Sequence, residues 1–182
     1  DGPFLTKFLL AKNYEVFGTS RNLDNANLGG LKFLGVLSEV KLLEMCPKSY
    51  DDVFHIISTI QPDEIYNLSG QSSVSLSFKQ PTEAIKSIAG ATLNILESLR
   101  LIEGETKFYN AGSGEVFGDT HGTPASENTP FDPVSPYGVA KTEAALQVNL
   151  YRNVYGLHAC TGILFNHESF LRPNDYVTKK IV

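Results

Sequence analysis

Ser135-Pro136-Tyr137-Gly138-Val139-Ala140-Lys141, running on to Tyr155-Gly156 and then to His158-Ala159-Cys160-Thr161-Gly162-Ile163-Leu164, decides how this chain folds. Pro136 suits the first turn of a helix, where its missing N–H costs nothing. Gly156 suits the end of one. The spacing therefore predicts a helix over 137–155 and a buried strand over 158–164. Tyr137 and Lys141, four residues apart, fall one above the other on a single helix face. A free phenol titrates near ~10 and is a poor base at neutral pH. An ammonium within reach favours the phenolate, and such a Tyr can exchange a proton with a substrate alcohol. An ordinary helix carrying an exposed Tyr and Lys is the plainer alternative.

The same alternation of helix and strand recurs upstream. Phe4, Leu5, Phe8 and Leu9 form one stripe of a helix over 3–12 that Asn13 can end. Strands are expected at 15–19, 40–44, 64–68 and 107–111. A loop is expected at 22–30, a helix at 51–60 from Val53, Ile56, Ile57 and Ile60, and a long helix at 82–102. Apolar strands alternating with helices call for a doubly wound parallel sheet, covered on both faces, of the α/β Rossmann-like kind. Ligands then sit at the carboxyl ends of the strands. Ser20-Arg21, Ser69-Gly70-Gln71-Ser72, Gly112-Ser113-Gly114-Glu115 and Asn166-His167-Glu168 all lie there.

Composition narrows the class. With 42% hydrophobic and 19% charged residues, 182 residues make one globular domain. A net charge of -5 without a basic cluster argues against nucleic acid. No apolar run is long enough for a membrane span. Cys46 and Cys160 form neither a disulfide framework nor a zinc pattern and read as small buried residues in a reducing compartment, so a cytoplasmic protein without a structural metal is expected. The chain opens directly on a helical pattern and closes within an amphipathic one. It therefore reads as lacking the first strand and most of a C-terminal substrate subdomain.

Individual residues suggest ligands. Gly2 stands at the entrance of the first helix, where backbone N–H groups favour a phosphate. Arg21 follows the next strand, where an arginine accommodates a 2′-phosphate, and with Ser20 it points to NADP over NAD, a solvated surface Arg being the alternative. Residues 67–72 include small residues where a backbone must pass close to a ligand, a mere tight turn being the alternative. Ser113 is either a turn residue or a donor to the substrate oxygen. Glu115 is either an exposed or capping carboxylate or a group that moves a proton at a neighbouring carbon.

These residues carry a resemblance. Tyr137-x-x-x-Lys141 with Ser113 upstream resembles the extended short-chain dehydrogenase/reductases. Ile65-Tyr66-Asn67-Leu68, Gln71-Ser72-Ser73-Val74, Ser77-Phe78, Phe108-Tyr109-Asn110-Ala111, Thr129-Pro130-Phe131 and Gly162-Ile163-Leu164-Phe165-Asn166-His167-Glu168-Ser169, with Val177-Thr178 and Lys180-Ile181, resemble the GDP-mannose 4,6-dehydratases within that superfamily. The resemblance implies Tyr137 as base, Lys141 as its support, Ser113 as donor and Glu115 as the dehydratase acid/base. It implies cofactor contacts from Gly2, Ser20, Arg21, Leu68, Ser69, Gly70, Gln71, Ser72, Tyr137, Lys141, His167 and Arg172. Ser72, Asn166, Glu168 and Lys180 would hold the sugar nucleotide. Residues 1–165 would form the NADP-binding domain and 166–182 the start of the sugar-nucleotide region, in a homodimer or homotetramer.

The implied reaction is an internal redox cycle. C4 of GDP-mannose is oxidised, water is lost across C5 and C6, and hydride returns to C6. A 4-reductase or epimerase on the same fold, or an inactive nucleotide-binding fragment, are the alternatives. The chain departs from the family pattern at Met45-Cys46-Pro47, where Gly-Asp-Leu is usual, at Gly114 in place of Ser, and at Phe170 in place of Pro.

Overall fold

The computed structural model describes residues 1–171. In order, its elements are α1 (Gly2–Leu10), β1 (Val16–Ser20), α2 (Gly29–Phe33), a 3-10 turn (Leu37–Glu39) and β2 (Val40–Glu44). Then come α3 (Tyr50–Ile60), β3 (Glu64–Asn67), α4 (Val74–Lys79), α5 (Pro81–Ile85), a π-turn (Lys86–Gly90) and α6 (Ala91–Ile102). β4 (Lys107–Ala111), a 3-10 turn (Gly114–Val116), α7 (Pro136–Tyr155) and β5 (Ala159–Gly162) complete the series.

Every strand pairing is parallel. β1 pairs with β2, and β4 lies between β3 and β5 in a separate three-stranded ladder. This is a doubly wound arrangement whose two halves no strand joins among the described residues. Successive strand residues face opposite ways, so Phe108 and Asn110 share a face with Asn67 and Thr161 by register. On that face α3, α6 and α7 bury Val53, Ile57, Leu96, Leu99, Val148 and Ala159 around Phe108.

The other face of this ladder is only partly covered among the described residues. Tyr66 is 37% exposed and Cys160 is exposed, so Cys160 is not a buried core residue; Cys46 is half-buried. The apolar periodicity of the helices reports only the side of the sheet they pack on.

Caps define the helix ends. Ser49 Oγ accepts from Asp52 N at the start of α3, and Ser135 Oγ accepts from Gly138 N at the start of α7. Asn13 (φ 64°) and Gly156 (φ 73°) end α1 and α7 in the left-handed region, as their positions suggested. Two helical segments differ from expectation. α4 lies where the sequence offers only a family motif, and the helix over 82–102 runs unbroken through a π-turn at Lys86–Gly90. No helix among the described residues is long and apolar enough to cross a membrane.

Candidate active site

The carboxyl ends of β1, β3, β4 and β5 and the first turns of α7 carry the residues singled out from the sequence. Lys141 sits one turn above Tyr137 with Nζ 5.8 Å from the phenol ring centroid. It is 8% exposed and donates to the carbonyl of Ala111, at the end of β4, over 2.7 Å. Burial lowers its pKa from 10.5 to about 8, so the ammonium persists at neutral pH at a cost in solvation. Tyr137 packs against Ile88, Ala140 and Ala144.

The start of α7 is held by two serines. Tyr137 N–H donates to Ser77 Oγ (3.1 Å) and Gly138 N–H to Ser135 Oγ (3.0 Å), which satisfies two of the free donors of the first turn. Ser77 is fully buried and its own hydroxyl donates to Val74 O (2.6 Å). It is a positioning residue that the sequence offered only as part of a family motif.

Gly138 explains how the turn that carries Glu115 reaches this helix. A Cβ there would lie 2.8 Å from Glu115 O and 3.1 Å from Pro133 Cβ. The backbone of Glu115 therefore passes directly over the turn that bears Tyr137. Ser113 caps the 3-10 turn, its Oγ accepting from Glu115 N over 3.3 Å, which leaves the hydroxyl proton for another acceptor. The bonds Gly112 N to Gly162 O and Gly114 N to Leu164 O, both 2.8 Å, prolong the β4–β5 pairing and lock this loop against 162–164. Ser113 and Glu115 thus share one turn whose backbone packs against the turn that bears Tyr137, with Lys141 one turn further along.

The loop after β3 is fixed from below. Gly70 has φ 111°, and a Cβ would lie 2.9 Å from Ile88 Cγ1 and 3.0 Å from Ser87 O, so only glycine fits. Gln71 N donates to Ser87 Oγ (3.2 Å) and Gln71 Nε2 to Ser73 O (2.6 Å), while Gln71 Oε1 is buried with no partner. Leu68 and Ser72 are exposed at the same edge, beside half-buried Ser69.

The loop after β5 reaches the head of α1. His167 Nε2 lies 2.8 Å from Asp1 Oδ1, and Nδ1 2.7 Å from Phe165 O. This brings His167 beside Gly2, around which a Cβ would meet nothing within 4 Å. Asn166 and Glu168 are exposed on the same loop, and Ser20 and Arg21 stand at the end of β1 with Arg21 in solvent. Arg172 and Lys180 lie outside the described residues. Among the described residues no cluster of His, Cys, Asp or Glu fits a metal.

A buried glutamine oxygen without a partner, a glycine cradle and an open helix N-terminus at one sheet edge suit a dinucleotide. Fold and site together define a Rossmann-like short-chain dehydrogenase/reductase architecture with a Tyr–Lys pair. A solved dTDP-glucose 4,6-dehydratase double mutant from Streptomyces venezuelae, crystallised with NAD, matches 98% of this chain and 56% of its own with a TM-score of 0.87 at 17% identity. A UDP-galactose 4-epimerase structure matches 88% of this chain and 50% of its own, with TM-score 0.75 and 24% identity. At such identities these likenesses establish the fold.

The family is established by sequence. The family model described as GDP-mannose 4,6 dehydratase matches residues 1–182, and the chain belongs to that family. GDP-mannose 4,6-dehydratase of Vibrio cholerae is 42% identical over all of this chain and 50% of its own length. GDP-mannose 4,6 dehydratase 2 of Arabidopsis thaliana is 41% identical over all of this chain and 51% of its own. The chain spans about half the length of these curated relatives.

Proposed function

We propose that the protein is an NADP-dependent GDP-mannose 4,6-dehydratase, a hydro-lyase that converts GDP-mannose to GDP-4-dehydro-6-deoxymannose and water. The observation that carries this reading is the buried Lys141 one turn above Tyr137, with the backbone of Glu115 seated against Gly138 in the same turn as Tyr137. Family membership and the relatives' names support the substrate. Residues 1–165 serve the dinucleotide and 166–182 begin the sugar-nucleotide contacts.

When bound, the dinucleotide supplies a hydride acceptor at C4 and a hydride donor at C6, with no net change. Lys141, held by Ala111 O, lends positive charge to the Tyr137 phenolate, which takes the C4 hydroxyl proton. Ser113 donates to the same oxygen as it becomes a carbonyl. That carbonyl acidifies the C5 proton, which Glu115 removes as the C6 hydroxyl leaves. The protons taken at the C4 oxygen and at C5 balance those spent on the departing water and on reprotonating C5. Leu68, Ser69, Gly70, Gln71 and Ser72 line the dinucleotide path, with Gln71 Oε1 an acceptor ready for it. Gly2 would favour a phosphate of the bound dinucleotide, His167 would contact the same cofactor, and Ser20 and Arg21 would accommodate a ribose 2′-phosphate. Asn166 and Glu168, with Arg172 and Lys180, hold the nucleotide sugar and the cofactor edge.

Self-association into a dimer or tetramer fits Val139, Leu146, Leu150 and Val154, an exposed apolar stripe on α7. A cytoplasmic setting fits two cysteines that carry no disulfide.

Full-length protein, NADP and GDP-mannose, followed by mass spectrometry, test the reading. A product lighter by one water supports it. Glu115→Gln is expected to lower water loss at least a hundredfold while leaving dinucleotide affinity within about twofold. Turnover without loss of water, left intact by Glu115→Gln, would shift the assignment to a 4-reductase or epimerase.

A further inference from the structure

Beneath the carboxyl edge of the three-stranded ladder runs a line of buried polar side chains that the reaction does not use directly. Asn67, Asn110 and Thr161 are paired across β3, β4 and β5 by register. Asn67 Nδ2 donates to Asn110 Oδ1 (3.1 Å) and to Thr92 Oγ1 (3.3 Å), and Asn110 Nδ2 to Thr161 Oγ1 (3.4 Å). Thr92, with no exposure at all, donates to Ile88 O (2.8 Å), a carbonyl of the π-turn. Asn67 and Asn110 are 7% and 2% exposed.

Apolar side chains would fill this layer at no cost in desolvation, as Phe108 does next door, so stability alone does not account for it. Its two outlets do. On one side Asn67 Oδ1 accepts from Ser69 N (3.2 Å) and Ser69 Oγ (2.6 Å), which sets the turn that opens the loop after β3. The π-turn that receives Thr92 also presents Ser87 to Gln71 N and Ile88 to Gly70. On the other side Asn110 precedes Ala111, whose carbonyl holds Lys141.

We propose that Asn67, Thr92 and Asn110, with Ser87, are positioning residues that fix the Ser69–Gln71 loop against the strand end holding Lys141, so that dinucleotide and Tyr–Lys pair share one register. This rests on the dinucleotide reading of that loop. Thr92→Val deletes the hydroxyl at constant shape, and Thr92→Ser keeps it.

In the full-length protein, T92V is expected to weaken NADP binding about tenfold by calorimetry. It also speeds amide exchange at Ser69 and Gln71 roughly tenfold relative to Phe108, whereas T92S behaves like the parent in both. Ser87→Ala, at a half-buried site, gives the same two changes and decides the matter if T92V does not fold. Unchanged affinity and loop exchange in a T92V protein that is merely less stable would overturn the proposal, as would T92S behaving like T92V. If the parent binds no dinucleotide the cofactor reading fails, and amide exchange alone then decides whether the ladder positions the loop.

Discussion

Replacing Lys141 by Met is expected to make the protein more stable and inactive. Burial takes the Lys141 pKa from 10.5 to about 8. Holding the ammonium inside the fold at pH 7 therefore costs about 3 kcal/mol, at about 1.36 kcal/mol per pH unit. Methionine matches the stem and carries no charge, but it leaves Ala111 O without its donor, a loss of about 1 kcal/mol. The net expectation is a gain of about 2 kcal/mol at pH 7. The sign follows from proton linkage: between about pH 8 and 10.5 the unfolded parent binds the extra proton, so its stability rises with pH in that window. The advantage of K141M should accordingly shrink to nothing near pH ~10. Urea unfolding of both proteins at pH 7, 8.5 and 9.5 measures it. A variant less stable than the parent at pH 7, or a difference that does not change with pH, would refute the buried ammonium.

Three further outcomes follow from the same geometry. Gly138→Ala puts a methyl 2.8 Å from Glu115 O, backbone that must shift. The expected loss is about 1–2 kcal/mol in urea after the helix gain of alanine, with kcat falling more than KM changes. Phe108→Ala, at 2% exposure in the main core, should cost about 3–5 kcal/mol in the same unfolding assay without altering the pH dependence due to Lys141. Arg21→Ala should weaken NADP binding about tenfold while leaving NAD affinity within about twofold, read by fluorescence titration of both cofactors.

Local chemistry made much of the fold legible. Val40–Glu44 and Lys107–Ala111 were bounded correctly as apolar runs between helices, and α3 by its helical period. α4 was not, because Ser-Val-Ser-Leu-Ser-Phe alternates as a strand does. Its helix is held by the Ser73 cap and by Ser77 engaging Tyr137 sixty residues away. The π-turn at Lys86–Gly90 left no mark on the apolar spacing of 82–102, since the helix there is buried on several sides and no single stripe reports its phase. The partly covered face with Tyr66 and Cys160 escaped because periodicity does not say which sheet face receives a helix.

In the candidate site the Tyr–Lys pair could be read from spacing within one helix. The burial of Lys141, its Ala111 acceptor, and the meeting of His167 with Asp1 depend on chain segments far apart in sequence.

The costs in this molecule are not spread evenly. Around Phe108, α3, α6 and α7 bury mostly aliphatic side chains, and the Tyr151 hydroxyl among them reaches out to Glu97 Oε2 (2.8 Å). One layer higher, at the carboxyl ends of the strands, the chain buries an ammonium, two asparagines and a threonine. Each of them is tolerated only because a specific partner is in place. A fold selected for stability alone would favour apolar residues at these four positions. Their placement between the Ser69–Gln71 loop and the Tyr137 helix is what a site needs when two separately built halves must meet in one geometry. Gly138 adds the third constraint, because the carboxylate-bearing turn can approach that helix only where no side chain stands. Removing the buried charge at Lys141 should therefore stabilise the fold and abolish turnover together, whereas truncating one partner of the asparagine–threonine line leaves the others unpaired.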